Sequence, residues 1–229
     1  MGTRVRYLTA DPISRRDLAD LTEELCRKEY SDEVAWGYVD VRNERDSLVA
    51  TFVERFETEE QVIHPFGEVT TYKRIQFNPV RFRIRVGIPQ LEVYDCPRSA
   101  TALLTELSNC FGARLVFSTV RIDLGALIQA LKQQTTSLSL LAATLGDVSL
   151  STDVFARIAV NGSAEITPYL KKVSFGREPV LERVLVKGTV SSSGGFKVEA
   201  TSDARIHIQV GHSDSLVKVF RGAVVESIS

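Results

Sequence analysis

The chain has 229 residues, 44% of them apolar, and its 28 basic residues are almost balanced by 29 acidic ones. That length and apolar content suit one large domain or two packed halves and exclude a disordered tail. The near-zero net charge excludes a global field that would gather nucleic acid or an anionic membrane from a distance, so any such binding has to be local. No apolar run approaches the ~20 residues that span a bilayer. The N-terminus lacks the charged and apolar regions of a signal peptide. The expectation is a cytoplasmic protein with no membrane partner.

Three cysteines, Cys26, Cys96 and Cys110, have no paired short spacing, which fits a reducing compartment. Cys26 and Cys110 fall in helical apolar patterns and are expected to pack. Cys96 precedes a proline in a loop.

In chain order, residues 4–9 read as a strand, and Ser14 caps a helix over 14–29 with Leu18, Leu21 and Leu25 on one face. Residues 34–41 and 48–57 read as a hairpin around the polar turn Arg42 to Asp46. An acidic cluster from Glu57 to Glu60 and the turn His64-Pro65-Phe66-Gly67 lead to a strand at 68–77, which Asn78-Pro79 is expected to interrupt. The next strand, 80–87, alternates Val80, Phe82, Ile84 and Val86 with Arg81, Arg83 and Arg85. A strand from Pro89 to Tyr94 precedes a helix from Ser99 to Phe111 closed by Gly112.

The second half is expected to open with a strand at 114–121 and a helix capped by Asp123 that carries Leu124, Leu127, Ile128 and Leu131. Leu138, Leu141 and Leu145 have helical spacing, which predicts a short helix over 136–146 although the Thr/Ser content also suits a strand. Residues 154–160 form a strand followed by the turn signal Asn161-Gly162, and 164–175 is read as a strand despite Pro168, by analogy with the first half. Strands at 181–190 and 196–201 flank the loop Ser191 to Gly195. A strand at 205–210 and a helix at 213–226 complete the chain.

Two segments match in pattern. Phe82, Ile84 and Val86, then Leu91 and Val93, then Ser99 before Leu103, Leu104, Leu107 and Phe111 are echoed by Phe196 and Val198, Ile206 and Ile208, and Ser213 before Leu216, Val217, Phe220 and Val224. This predicts an α+β fold of two related halves, 1–113 and 114–229, each a curved antiparallel sheet with helices on one face. Convergence of two ordinary strand-strand-helix units is the alternative. The order of elements is similar to the duplicated saddle of TATA-binding-protein-like folds and, less closely, to helix-grip folds. No motif of either family is present, and a shared fold does not transfer function.

The strongest interaction signal is the row Arg81, Arg83 and Arg85, with Lys73 and Arg74 shortly before it and Tyr72 and Phe77 nearby. Guanidiniums roughly 7 Å apart on one strand face suit phosphates or carboxylates. The other reading is a solvated face paired with Glu54, Glu57 or Glu92. The matching positions in the second half, Lys197 and Glu199, do not reproduce the row. Trp36 is either a base-stacking platform or a half-buried strand aromatic.

Reactive chemistry is sparse. His64, His207 and His212 lack metal-ligand spacing, no G-x-S-x-G elbow or P-loop is present, and Glu92, Asp95, Cys96 and the pair Glu182 and Lys187 match no compact nuclease motif. No catalytic residue, metal or cofactor is expected. The leading expectation is a non-catalytic binding or assembly subunit whose partner is another protein or a second copy. A DNA- or RNA-binding protein using the basic strand face is the first alternative, and a metal-dependent nuclease or other hydrolase with a site assembled from distant residues is the second.

Overall fold

The computed structural model describes residues 2–67, 69–96, 99–112, 115–191, 194–210 and 214–228. These carry eleven strands and five helices in an α+β arrangement with extensive antiparallel pairing. They divide into two compact units, Ala10–Phe117 and Met1–Thr9 with Ser118–Ser229.

The Ala10–Phe117 unit contains α1 (Arg15–Arg27), β2 (Trp36–Glu44), β3 (Ser47–Ile63), β4 (Val69–Arg85), β5 (Leu91–Tyr94) and α2 (Thr101–Cys110). Its strands form the meander β2-β3-β4-β5. Period-two alternation in each strand produces transverse apolar rows: Leu48 pairs with Ile84, which pairs with Leu91, and Ala50 pairs with Phe82, which pairs with Val93. All six are fully buried, and α1 packs against β2, β3 and α2. Ser14 caps α1 reciprocally with Asp17, each side chain taking a backbone N–H of the other residue.

The second unit contains β1 (Thr3–Thr9), β6 (Ser118–Thr119), α3 (Leu124–Gln134), β7 (Ser137–Ser151), β8 (Val154–Asn161), α4 (Thr167–Val173), β9 (Val180–Val190), β10 (Gly194–Thr201), β11 (Arg205–Val210) and α5 (Asp214–Glu226). Its strand order is β1-β11-β10-β9-β7-β8, with β6 beside β1. Leu127 and Leu131 of α3 and Phe220 and Val224 of α5 are buried, and Phe220 meets Phe196 of β10 edge-on at 5.4 Å.

Several sequence expectations are corrected. Residues 136–146 are not a helix but most of β7. Register shifts after Leu140 and Leu145 change the buried parity, so Leu140, Ala143, Leu145 and Val148 are buried, whereas Leu138 and Leu141, which give the helical spacing, are only half-buried. Residues 164–175 are not a strand: Pro168 sits in the first turn of α4, where its missing N–H costs nothing. Asn78-Pro79 does not break β4, because Pro79 pairs with Val53 on one side and lies beyond the reach of β5 on the other. The first hairpin turn is shorter than expected, with Arg42, Asn43 and Glu44 still paired. Cys26 follows buried Leu25 round the helix and is exposed rather than packed. Within the expected strand 114–121 only Ser118 and Thr119 are assigned to one. Arg114, His212, Ser213, Ser192, Ser193 and the boundary residue Ala113 lie outside the described residues.

Candidate functional site

The β3–β4 hairpin stays in register from Ser47 opposite Arg85 to Ile63 opposite Val69. On one side β2 accompanies β3 only as far as Glu54, and on the other β5 accompanies β4 only from Arg81. From the pair Arg55–Phe77 outward the hairpin is a two-stranded arm, roughly 30 Å long at ~3.3 Å per residue. Its tip is the turn His64-Pro65-Phe66-Gly67, where Gly67 adopts φ +89° and donates its N–H to the His64 carbonyl at 2.8 Å.

The arm alternates like a sheet yet buries neither face. Phe56, Val62 and Tyr72 stand on one side, and Ile63, Val69, Ile75 and Phe77 on the other, all exposed. Ile63 is 70% exposed and Phe66, at the tip, 89%. Between them lie charges that are largely neutralised within the arm. Arg74 binds Glu60 at 2.9 Å, Arg55 binds Glu57 at 2.8 Å, and Lys73 stands opposite Glu59 in the register. At the root, Phe77 meets Tyr30 edge-on, Asn78 donates to Glu54 at 3.3 Å, and the Arg55 N–H donates to the Ala35 carbonyl at 2.8 Å.

All six basic-face candidates lie on β4, but they are not one surface. Lys73, Arg81, Arg83 and Arg85 share a strand face, whereas Tyr72 and Arg74 point to the other. Tyr72, Lys73 and Arg74 are on the arm and exposed, and the three arginines are at its base. Arg81 stacks its guanidinium 4.6 Å from the Tyr94 ring centre. Arg83 binds Glu44 at 3.0 Å, and Arg85 binds the fully buried Glu92 at 2.9 Å. Tyr94 donates its hydroxyl to the other Glu92 oxygen at 2.5 Å. Burial, reinforced by that carboxylate, pushes the Tyr94 phenol well above its ordinary value. A phosphate approaching this row would have to compete with two carboxylates and an aromatic face.

The remaining candidates do not converge. Glu92 is committed to Arg85 and Tyr94, while Asp95 is exposed at the strand end beside half-buried Cys96. His64 is at the arm tip, and His207 lies on β11 opposite Arg4. Glu182 pairs with Arg157, not with Lys187. Trp36 is half-buried against Tyr38 and Phe52, with the Lys28 ammonium 5.6 Å from its ring. The Lys28 ammonium also lies 3.5 Å from the Cys110 sulfur. Among the described residues no group of three or more His, Cys, Asp or Glu is placed to hold a metal ion, and no helix is long and apolar enough to cross a membrane.

The sequence reading misses Phe56, Val62, Ile63, Phe66, Val69 and Ile75 as surface features. Alternation alone carries no signal that separates them from covered strand residues. No protein-family model matches the chain, and no curated protein matches it in sequence.

Proposed function

We propose that the chain is a non-catalytic binding or assembly subunit that engages another protein through the β3–β4 arm. The observation that carries this reading is the exposure of Phe56, Val62, Ile63, Phe66, Val69, Tyr72, Ile75 and Phe77, spread over both faces and the tip of a ribbon that no third strand joins among the described residues. A two-stranded ribbon is marginal in water, and exposed apolar side chains concentrated in this way are characteristic of a protein contact. The arm's mutual ion pairs leave it no excess of positive charge for a phosphate backbone.

A common order of elements supports reading the scaffold as duplicated and the chain as a subunit. With β8 and α4 set aside, residues 114–229 run strand, helix, four strands, helix, as do residues 1–113. β7 pairs with β9, β9 with β10 and β10 with β11, in the way that β2, β3, β4 and β5 pair in sequence. The two insertions, the arm and the β8–α4 segment, then mark what each half adds to a common frame.

The test is the native mass of the tagged full chain in extracts of its own cells, compared with an Ile63→Ser/Phe66→Ser variant of unchanged circular dichroism. An assembly that resists high salt and loses the mass of its protein partner in the variant is expected. The arm reading is lost if the variant assembles as the parent does. If the mass depends on added DNA or RNA and collapses with salt, the basic-face alternative of Tyr72, Lys73, Arg74, Arg81, Arg83 and Arg85 replaces it.

A further inference from the structure

Open strand edges invite pairing with another chain, and the described edges differ in how they resist it. β2 carries a bulge between Val39 and Arg42, with Asp40 at φ +55°, and its first half is already bonded to the Lys28–Tyr30 segment. The arm's outer edges carry Glu57, Glu59 and Glu60 on one strand and Lys73 and Arg74 on the other, with Pro79 just below its root.

β8 has none of these devices. Val154–Asn161 reads VFARIAVN, without proline or glycine, and it ends the strand order of its unit. The bulges of the β7–β8 pair lie in β7, so β8 itself is regular. Its single charge, Arg157, is drawn back across β7 to Glu182 of β9, a route left open by Gly146: a Cβ there would sit 2.5 Å from the Glu182 carboxylate. The strand's inner row, Ala156, Ile158 and Val160, continues the buried row Val148, Leu145 and Ala143 of β7 but is only half covered.

We propose that the open edge of β8 pairs antiparallel with β8 of a second copy, giving a two-fold dimer in which the sheet runs on from one copy to the other. This goes beyond the arm reading and does not depend on it. The outward N–H and C=O groups of an edge strand form a template for another strand, and a two-fold axis normal to the sheet keeps each apolar row on its own face. Self-complementarity identifies the second copy. A dyad at Arg157 would set that residue against itself, whereas a dyad at Ile158 pairs Ile158 with Ile158, Ala156 with Val160, and Arg157 with Ala159 of the second copy. The half-covered row then meets its own image, and no like charges face each other.

The experiment is sedimentation velocity of the full chain over a concentration series, with Ala159→Lys and Ala159→Glu variants checked by circular dichroism. Ala159 is exposed, so neither change disturbs the monomer's core. The wild-type chain is expected to dimerise. The ammonium introduced by Ala159→Lys would face Arg157 twice and weaken the dimer about tenfold, while the carboxylate introduced by Ala159→Glu would leave it intact or tighten it. A monomeric wild-type chain at every concentration, or a dimer that responds alike to both variants or to neither, overturns the proposal. The Ile63→Ser/Phe66→Ser arm variant is expected to remain a dimer, which separates this contact from the arm's.

Discussion

Tyr30 and Phe77 meet edge to face with ring centres 6.2 Å apart, and this contact fastens the root of the β3–β4 arm to the segment that follows α1. Tyr30 is itself fixed. Its N–H donates to the Tyr38 carbonyl, and Gly37 packs so closely that a Cβ there would fall 2.5 Å from the Tyr30 Cα. Phe77→Ala removes the ring from this clamp at a partly exposed position, with an expected loss of about 1 kcal/mol in global stability. The larger effect is local: hydrogen exchange of the amides from Arg55 to Phe77 should quicken while those of Leu48 to Phe52 stay protected. Equal protection of the arm in variant and parent would mean that the clamp does not hold it.

The arginine row should separate into unequal members. Glu92 is buried and paired with Arg85, so Arg85→Ala takes this ion pair from a buried carboxylate and is expected to cost about 3–5 kcal/mol. Arg81 only lies over Tyr94 at the surface, and Arg81→Ala should cost about 1 kcal/mol or less. Urea unfolding of the two variants checks the ranking. Comparable midpoints would refute the structural role of the Arg85–Glu92 pair. The same ranking makes Lys73, Arg74 and Arg81 the better substitutions for a nucleic-acid binding assay, because their loss leaves the core intact.

These contrasts explain what can be read from the sequence. The rows through Phe82 and Ile84 are legible because strict alternation on a one-sided sheet has one interpretation. Ser14 and Asp123 mark helix starts because a cap is local chemistry. β7 is not legible, since the helical spacing of Leu138, Leu141 and Leu145 does not mark its buried face, which register shifts visible only in its neighbours move to Leu140, Ala143, Leu145 and Val148. α4 is hidden by the analogy with the first half, although Pro168 points to a first helical turn. The positions of Arg81, Arg83 and Arg85 are plain in the sequence, but Glu44 reaches Arg83 through strand register, which periodicity does not supply. The arm escapes because alternation looks the same whether the apolar side is covered or bare.

The capping box of α1 makes a pH-dependent contribution. The hydrogen bonds from Ser14, first its side chain and then its backbone N–H, hold the Asp17 carboxyl below its ordinary value. A depressed folded-state value gives stability that is present above the unfolded value near ~3.9 and is lost as pH falls through the folded value. Ser14→Ala should therefore cost about 1 kcal/mol at neutral pH. The gap between variant and parent should narrow in denaturation curves taken progressively below pH ~4. A gap independent of pH would show that Asp17 plays no part in the cap.

Glu165 joins α4 to the irregular part of β7. One carboxylate oxygen accepts the Leu140 N–H at 2.8 Å, next to the register shift, and the other accepts the N–H and hydroxyl of Thr167 in the first turn of α4. Partial burial raises the Glu165 carboxyl, but these three donors, aided by Lys132, outweigh it and leave the group below its ordinary value. Glu165→Ala takes this acceptor from the Leu140 N–H and from Thr167 at the start of α4, and an expected loss of about 1–3 kcal/mol follows. Glu165→Gln keeps an acceptor oxygen and should lose less. The sign of the pH effect is that of Asp17: the contribution of Glu165 is full above the unfolded value near ~4.3 and fades as pH falls through the folded one. Thermal unfolding of both variants between pH 7 and 3 separates the terms. Glu165→Gln should lose the pH-dependent part and Glu165→Ala the hydrogen bonds as well, so identical curves for the two would deny the carboxylate its tie to Leu140.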